Sequence, residues 1–172
     1  YIAPHCYRSE MNANGMVVQK EITNKKKGGS YNMQMGNTSY TKKELKANHS
    51  RHKMNRDLIY KDLGHQLQLV GIEKVAGKDC YVIERLNQDA KKSTEFYAIT
   101  SKLKLQVISS DETPTGEMVT RTMQYSDYND YGGILFPSTT SMSISNQFVE
   151  MNLKSMEVNV EIDEAKFEWN DK

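Results

Sequence analysis

The 172 residues carry 23 Lys and Arg against 22 Asp and Glu, a net charge of +1, which argues against generic nucleic-acid binding, where a strong basic excess is the rule. A mean hydropathy of −0.73 and the lack of a long apolar run exclude a membrane-spanning helix. The length suits a single domain with a real core, expected over 1–172 as N-terminal strands at 1–40, a helical segment at 41–64 and an antiparallel meander at 65–172.

The chain opens at Tyr1 without a Met, a charged leader or an apolar leader, so any export signal, lipid-anchoring cysteine or preceding domain is expected to lie outside it. Two cysteines, Cys6 and Cys80, allow one disulfide but do not make a disulfide framework. Cys80 sits in the strand-like run Asp79-Cys80-Tyr81-Val82-Ile83, where a small half-buried residue suffices.

Strand candidates come first in chain order at Cys6 to Glu10, Met16 to Thr23 and Ser30 to Met35, with turn composition at Asn24 to Gly29. Thr41 to Gly64 is the helical part, with Thr41 as N-cap, Glu44 three residues on as its capping-box partner and Gly64 as a stop. Its apolar residues are sparse (Leu45, Met54, Leu58, Ile59, Leu63), which predicts two short helices, broken near Asn48 to Lys53, lying over a sheet. Lys42, Lys43, Lys46, Arg51, Lys53 and Arg56 make this stretch basic, whereas the chain after Glu157 is acidic. Such a basic helix can meet anionic headgroups or an acidic partner, although charge runs are usually solvated faces.

Beyond Gly64 seven strands are expected, at 66–75, 79–87, 93–99, 103–110, 117–128, 138–146 and 148–162. Alternation in Leu103-Lys104-Leu105-Gln106-Val107 and in Met156 to Ile162 places the apolar set on one face. Val75-Ala76-Gly77-Lys78 and Thr113-Pro114-Thr115-Gly116 read as turns. The apolar parity shifts between Leu153 and Met156, which predicts a bulge near Lys154-Ser155, and Pro137 reads as a strand entry or edge. Phe167 and Trp169 are expected to cap the core. The fold class is therefore mainly β with a small helical part (α+β), an antiparallel sheet without helical crossovers.

The search for chemistry returns no His-Glu-x-x-His, Cys-x-x-Cys, Gly-x-Ser-x-Gly or phosphate-cradling glycine pattern, so no enzyme, cofactor or metal is expected. His49 and His52 share a helical face but stand among Arg51 and Lys53, which favours a solvated basic face over a metal site. Asn37-Thr38-Ser39 and Asn48-His49-Ser50 match a glycosylation triplet that is common by chance. Ten methionines are many for this length. Being unbranched and polarisable, they suit either a core or a wall that adapts to apolar ligands.

The run Leu69 to Ile83 with its Gly77-Lys78-x-x-Tyr81 turn, Ser93 to Tyr97, Thr113-Pro114-Thr115-Gly116, Tyr125-Ser126-Asp127-Tyr128 and Gly133-Ile134-Leu135-Phe136-Pro137 resembles, in order and spacing, the LolA/LolB/LppX-like family of cell-envelope proteins. The resemblance spans about residues 66–168 and is weaker through 16–64. It implies one LolA-like domain: a strongly curved antiparallel sheet or half-open β-barrel with short helices over its concave face and an apolar cavity. It also implies a non-catalytic binding or carrier module for a lipid or lipoprotein acyl chains, in the periplasm or at the outer membrane. Met33, Met35, Leu103, Leu105, Met123, Met142 and Ile144 are the expected lining. Similar domains in Bacteroidota occur beside insulinase-type zinc peptidases, so the alternative is an accessory domain packed on such a peptidase or another envelope partner. In relatives a helix usually precedes the first strands, and this chain begins strand-like.

Overall fold

A computed structural model describes residues 2, 5–53, 56–113 and 116–170. The chain divides into two compact units, one of Tyr1–Ile59 with Val160–Lys172 and one of Tyr60–Asn159. The sheets of both units are antiparallel and open, and the described residues hold one α-helix, so the mainly β, α+β class is the observed one.

The first unit is a four-stranded meander of β1 (Tyr7–Ala13), β2 (Met16–Thr23), β3 (Gly28–Asn32) and β4 (Gly36–Ser39), followed by α1 (Lys42–Arg51). Asn14 and Gly15, both at positive φ, make the two-residue turn that lets β1 run on to Ala13, past the Glu10 expected from sequence. Asn24 closes the next turn by accepting the Lys26 and Lys27 amides at 2.9 and 3.0 Å.

α1 begins where the capping residues predict. The Glu44 amide donates to Thr41 Oγ1, and the Thr41 amide donates to Glu44 Oε2 at 2.8 Å. The helix buries Leu45 and Asn48 and sits against β2. A single 3-10 turn follows at Arg56–Ile59; Met54, part of the expected apolar stripe, lies outside the described residues. On the other face of the sheet Ile22 packs with Phe167 and Trp169. Trp169 donates its indole N–H to Ser39 Oγ at 2.8 Å, and Asn24 donates to the Phe167 carbonyl at 3.0 Å. Gly29 makes room for that indole, since a Cβ there would stand 2.3 Å from a ring carbon.

The second unit is a seven-stranded meander: β5 (Gln66–Val75), β6 (Lys78–Leu86), β7 (Lys92–Ala98), β8 (Lys104–Glu112), β9 (Met118–Asp130), β10 (Leu135–Ile144) and β11 (Gln147–Asn152). All seven strands expected from alternation are present. The β5–β6 turn uses Ala76 and Gly77, both at positive φ. The turn read at Thr113 to Gly116 falls partly outside the described residues, at Pro114 and Thr115. Pro137 pairs with Tyr128 of β9 near the start of β10, two residues before the pairing of β10 with β11 begins at Thr139.

Two expectations are corrected here. The last strand ends at Asn152 rather than Ile162: after the Leu153 amide donates to the Ser138 carbonyl at 2.7 Å, the chain leaves the ladder. The parity shift near Lys154 marks that departure and not a bulge. Val158 then lies against Gly132, and Ile162 joins the Trp169 cluster of the first unit. The bulges of this sheet are elsewhere, at Val70 in β5 and at the β7–β8 step near Leu105.

Candidate functional site

In an antiparallel ladder, paired residues project to the same face, so the register defines what each face of the seven-stranded sheet presents. One face carries a buried cluster of Cys80, Val82, Phe96, Ala98 and Leu105. Both Cys80 and Cys6 are free thiols.

The opposite face carries a continuous row across all seven strands: Leu69, Ile83, Glu95, Val107, Met123, Met142 and Val149. It is apolar except at its third member. Residues flanking the row extend it, and much of it is open: Leu69 is 62% exposed, Ile72 61%, Val149 45% and Met151 47%. An apolar sheet face left this open is unusual for a packed core and typical of a binding surface.

Glu95, 1% exposed, is the exception, and its carboxylate is fully engaged. Oε1 accepts from Arg85 Nε at 2.6 Å and from Tyr60 Oη at 3.0 Å. Oε2 accepts from Tyr97 Oη at 2.7 Å and faces Lys104 Nζ at 2.8 Å. Burial pushes its pKa up, but the Lys104 charge and hydrogen bond, with those of Tyr97 and Arg85, outweigh it and hold the carboxyl at about 2. Tyr60 also accepts from Lys104 Nζ at 3.2 Å, and both cations lie over its ring, Arg85 at 4.9 Å and Lys104 at 5.5 Å from the centroid. This is a salt-bridged plug in the middle of an apolar face.

Of the residues expected to line a ligand, the structure brings three together. Met123 pairs directly with Met142, and Ile144 stands two residues along β10 on the same face. Leu105 is a correction: it is 9% exposed on the opposite face, inside the Phe96 cluster. The bulge that pairs Phe96 with Gln106 but Tyr97 with Lys104 resets the parity, so Leu105 and Val107 point to opposite faces although they are two residues apart. Leu103 lies before β8, half-buried, with its carbonyl accepting the Ala98 amide. Met33 and Met35 belong to the β3–β4 turn of the first unit, 53% and 83% exposed, because β3 ends at Asn32 and the Met35 amide donates to the Asn32 carbonyl. Leu69, Ile83, Val107 and Val149 were not anticipated. Alternation flags each as apolar, but only the register lines them up.

A second engaged carboxylate occupies the first unit. Glu21 accepts from Tyr40 Oη at 2.5 Å and from the Asn48 amide, while His52 Nε2 stands 3.3 Å away, in ion-pair range but without the alignment of a full hydrogen bond. The contact with His52 is the main influence holding the Glu21 carboxyl at about 2; burial opposes it, and Tyr40 and Asn48 add to it. His52 also stacks on Tyr7 at 3.6 Å, and His49 Nε2 lies 3.0 Å from the Asn24 carbonyl. The expected solvated histidine face is therefore corrected: 45, 48, 49 and 52 form the docked stripe of α1. Among the described residues no group of three His, Cys, Asp or Glu could hold a metal, and no helix is long and apolar enough to cross a membrane.

A surface hollow of about 650 Å³ at one end of β7 and β8 is lined by Ala90 to Thr94, Ile108 to Glu112 and Met118. Its Lys91 is matched by Asp111 at 2.7 Å, and its Lys92 by Glu84 at 2.6 Å.

No family model matches the chain, and no curated protein matches it in sequence. Solved structures do match in fold. A DUF1329 family protein from Desulfovibrio piger superposes with a TM-score of 0.60 at 16% identity, over 95% of this chain and 80% of that one. A domain assigned to outer-membrane lipoprotein sorting from Vibrio parahaemolyticus follows at 0.56 and 16%, over 87% and 68%. A LolA-superfamily protein from Nitrosomonas europaea gives 0.51 and 12%, over 92% and 73%. The chain has a LolA-like fold. Within the LolA-like frame the row from Leu69 to Val149 is the candidate ligand face, and the Glu95 cluster is its one polar interruption.

Proposed function

We propose that this LolA-like domain is a carrier or binding module that holds the acyl chains of a lipid or lipoprotein against the Glu95 face of the seven-stranded sheet. The observation that carries this reading is the open apolar row, with Leu69 at 62% and Val149 at 45% exposure at its two ends. Burying such side chains under an acyl chain is favourable by about 25 cal/mol per Å² of apolar surface removed from water. The lining proposed is Leu69, Ile83, Val107, Met123, Met142 and Val149, with Ile144 beside them. The methionines adapt to chains of varied shape. The lipoprotein-sorting assignment of the Vibrio parahaemolyticus relative supports the same class of ligand and a location in the cell envelope. The work is binding and transfer and needs no catalytic group.

Organic extraction of purified protein followed by mass spectrometry tests the reading. Co-purifying lipid, lost in Met123→Asp and Met142→Asp variants that still fold, is the expected result. A wild-type protein that carries no lipid and takes none from detergent-solubilised lipid mixtures would overturn it.

A further inference from the structure

One row along the same sheet face, two residues or about 7 Å up each strand, the register aligns Leu67, Arg85, Ser93, Ser109, Arg121, Ile144 and Gln147. This row differs in chemistry from its neighbour. Two guanidiniums bracket two adjacent hydroxyls, and the row contains no carboxylate.

Three observations mark its centre as a place for an anion. Ser93 is 5% exposed, and its Oγ is buried with no hydrogen-bond partner. An unsatisfied buried hydroxyl is unfavourable, and a ligand oxygen would satisfy it. Arg85 uses Nε on Glu95 and Nη1 against His65 Nδ1 at 3.2 Å, so its five N–H donors are not exhausted. Arg121 is exposed and makes no ion pair among the described residues. The nearest carboxylate along β8, Asp111, is already matched by Lys91 at 2.7 Å.

We infer that this row is the headgroup site of the acyl-binding face, and that the preferred ligand is an anionic phospholipid whose phosphate sits over Ser93 and Ser109 between Arg85 and Arg121. The inference rests on the acyl-binding reading above and adds its charge preference. Charge complementarity selects the occupant: the chains lie along the Leu69–Val149 row, where only the Glu95 cluster is polar, and the phosphate meets the spare N–H donors of Arg85, whose charge is shared with Glu95, and the exposed Arg121, whose acidic neighbour Asp111 is held by Lys91. A zwitterionic head would bring a cation toward Arg85 and Arg121 and lose this advantage.

The test uses soluble short-chain lipids with identical tails, dioctanoyl phosphatidylglycerol and dioctanoyl phosphatidylcholine, titrated calorimetrically into the protein. Wild type is expected to bind the glycerol head at least tenfold more tightly. Arg121→Gln should weaken phosphatidylglycerol binding more than phosphatidylcholine binding and close most of the gap between them. Ser93→Ala should weaken phosphatidylglycerol binding while leaving the unliganded protein as stable or more stable, a combination that a purely structural serine does not give. Equal affinity for the two lipids, indifferent to Arg121→Gln, overturns the headgroup site and leaves the acyl-binding reading standing. Failure of both lipids to bind overturns both.

Discussion

Tyr60 Oη donates to Glu95 Oε1 across 3.0 Å, tying the segment that leads into β5 to the centre of the sheet. Both residues are buried, at 7% and 1% exposure, so the bond is shielded from water. Removing the phenol hydroxyl in Tyr60→Phe should cost about 1–3 kcal/mol, the range for leaving a buried acceptor less satisfied. Glu95→Ala should cost more, about 3 kcal/mol, because it strands the half-buried charges of Arg85 and Lys104 without a counter-ion. Urea unfolding of the two variants checks the order. A Glu95→Ala protein as stable as wild type would show that the cluster is not structural.

Stability should fall in acid. Glu21 and Glu95 each have an ordinary pKa of 4.5 and are held at about 2 in the folded chain. A depressed carboxyl stabilises the fold fully above its unfolded value and loses that contribution as pH falls toward the folded value, so the loss runs from about pH 4.5 down to about 2. His49, whose pKa burial lowers, acts in the same direction from its ordinary 6.5 downward. Thermal melts at pH 7, 4 and 2.5 should show the decline, and Glu21→Gln should flatten part of it. A melting temperature independent of pH over this range would contradict both carboxylates' roles.

Gly29→Ala should loosen the Trp169 cluster. The added Cβ would stand 2.3 Å from the indole, closer than any real contact, so the ring or the strand must move. Overpacking of this kind costs about 1–3 kcal/mol. Trp169 is the only tryptophan, so its fluorescence reports the site directly, and a red-shifted spectrum in the variant is the expected sign of ring displacement.

Thr41→Ala removes the hydroxyl that accepts the Glu44 amide at 3.3 Å and should cost about 1 kcal/mol. The expected readout is a lower urea midpoint, largely restored by Thr41→Ser, which keeps the hydroxyl. Equal loss in both variants would place the effect in packing of the methyl group instead.

Much of this was legible in the residues. Period-two alternation located all seven strands of the meander, Ala76-Gly77 its first turn, and Thr41 with Glu44 the start of α1, because each depends on neighbours a few positions apart. Met142 and Ile144 share a face for the same reason, while the β9–β10 register brings Met123 to them.

Tertiary structure decided the rest. The face on which Leu105 lies turned on a bulge, and alternation carries no record of a one-residue reset. The end of β11 turned on where it leaves β10, which runs on to Leu135 paired with β9 alone, so the apolar alternation after Leu153 serves packing rather than a ladder. The partners of Glu95 come from β6, β8 and a residue 35 positions away, and its role as an engaged charge within an apolar row exists only once those strands are aligned. Short-range chemistry determined the elements, while pairing between distant strands, set by bulges and register, determined which side chains meet.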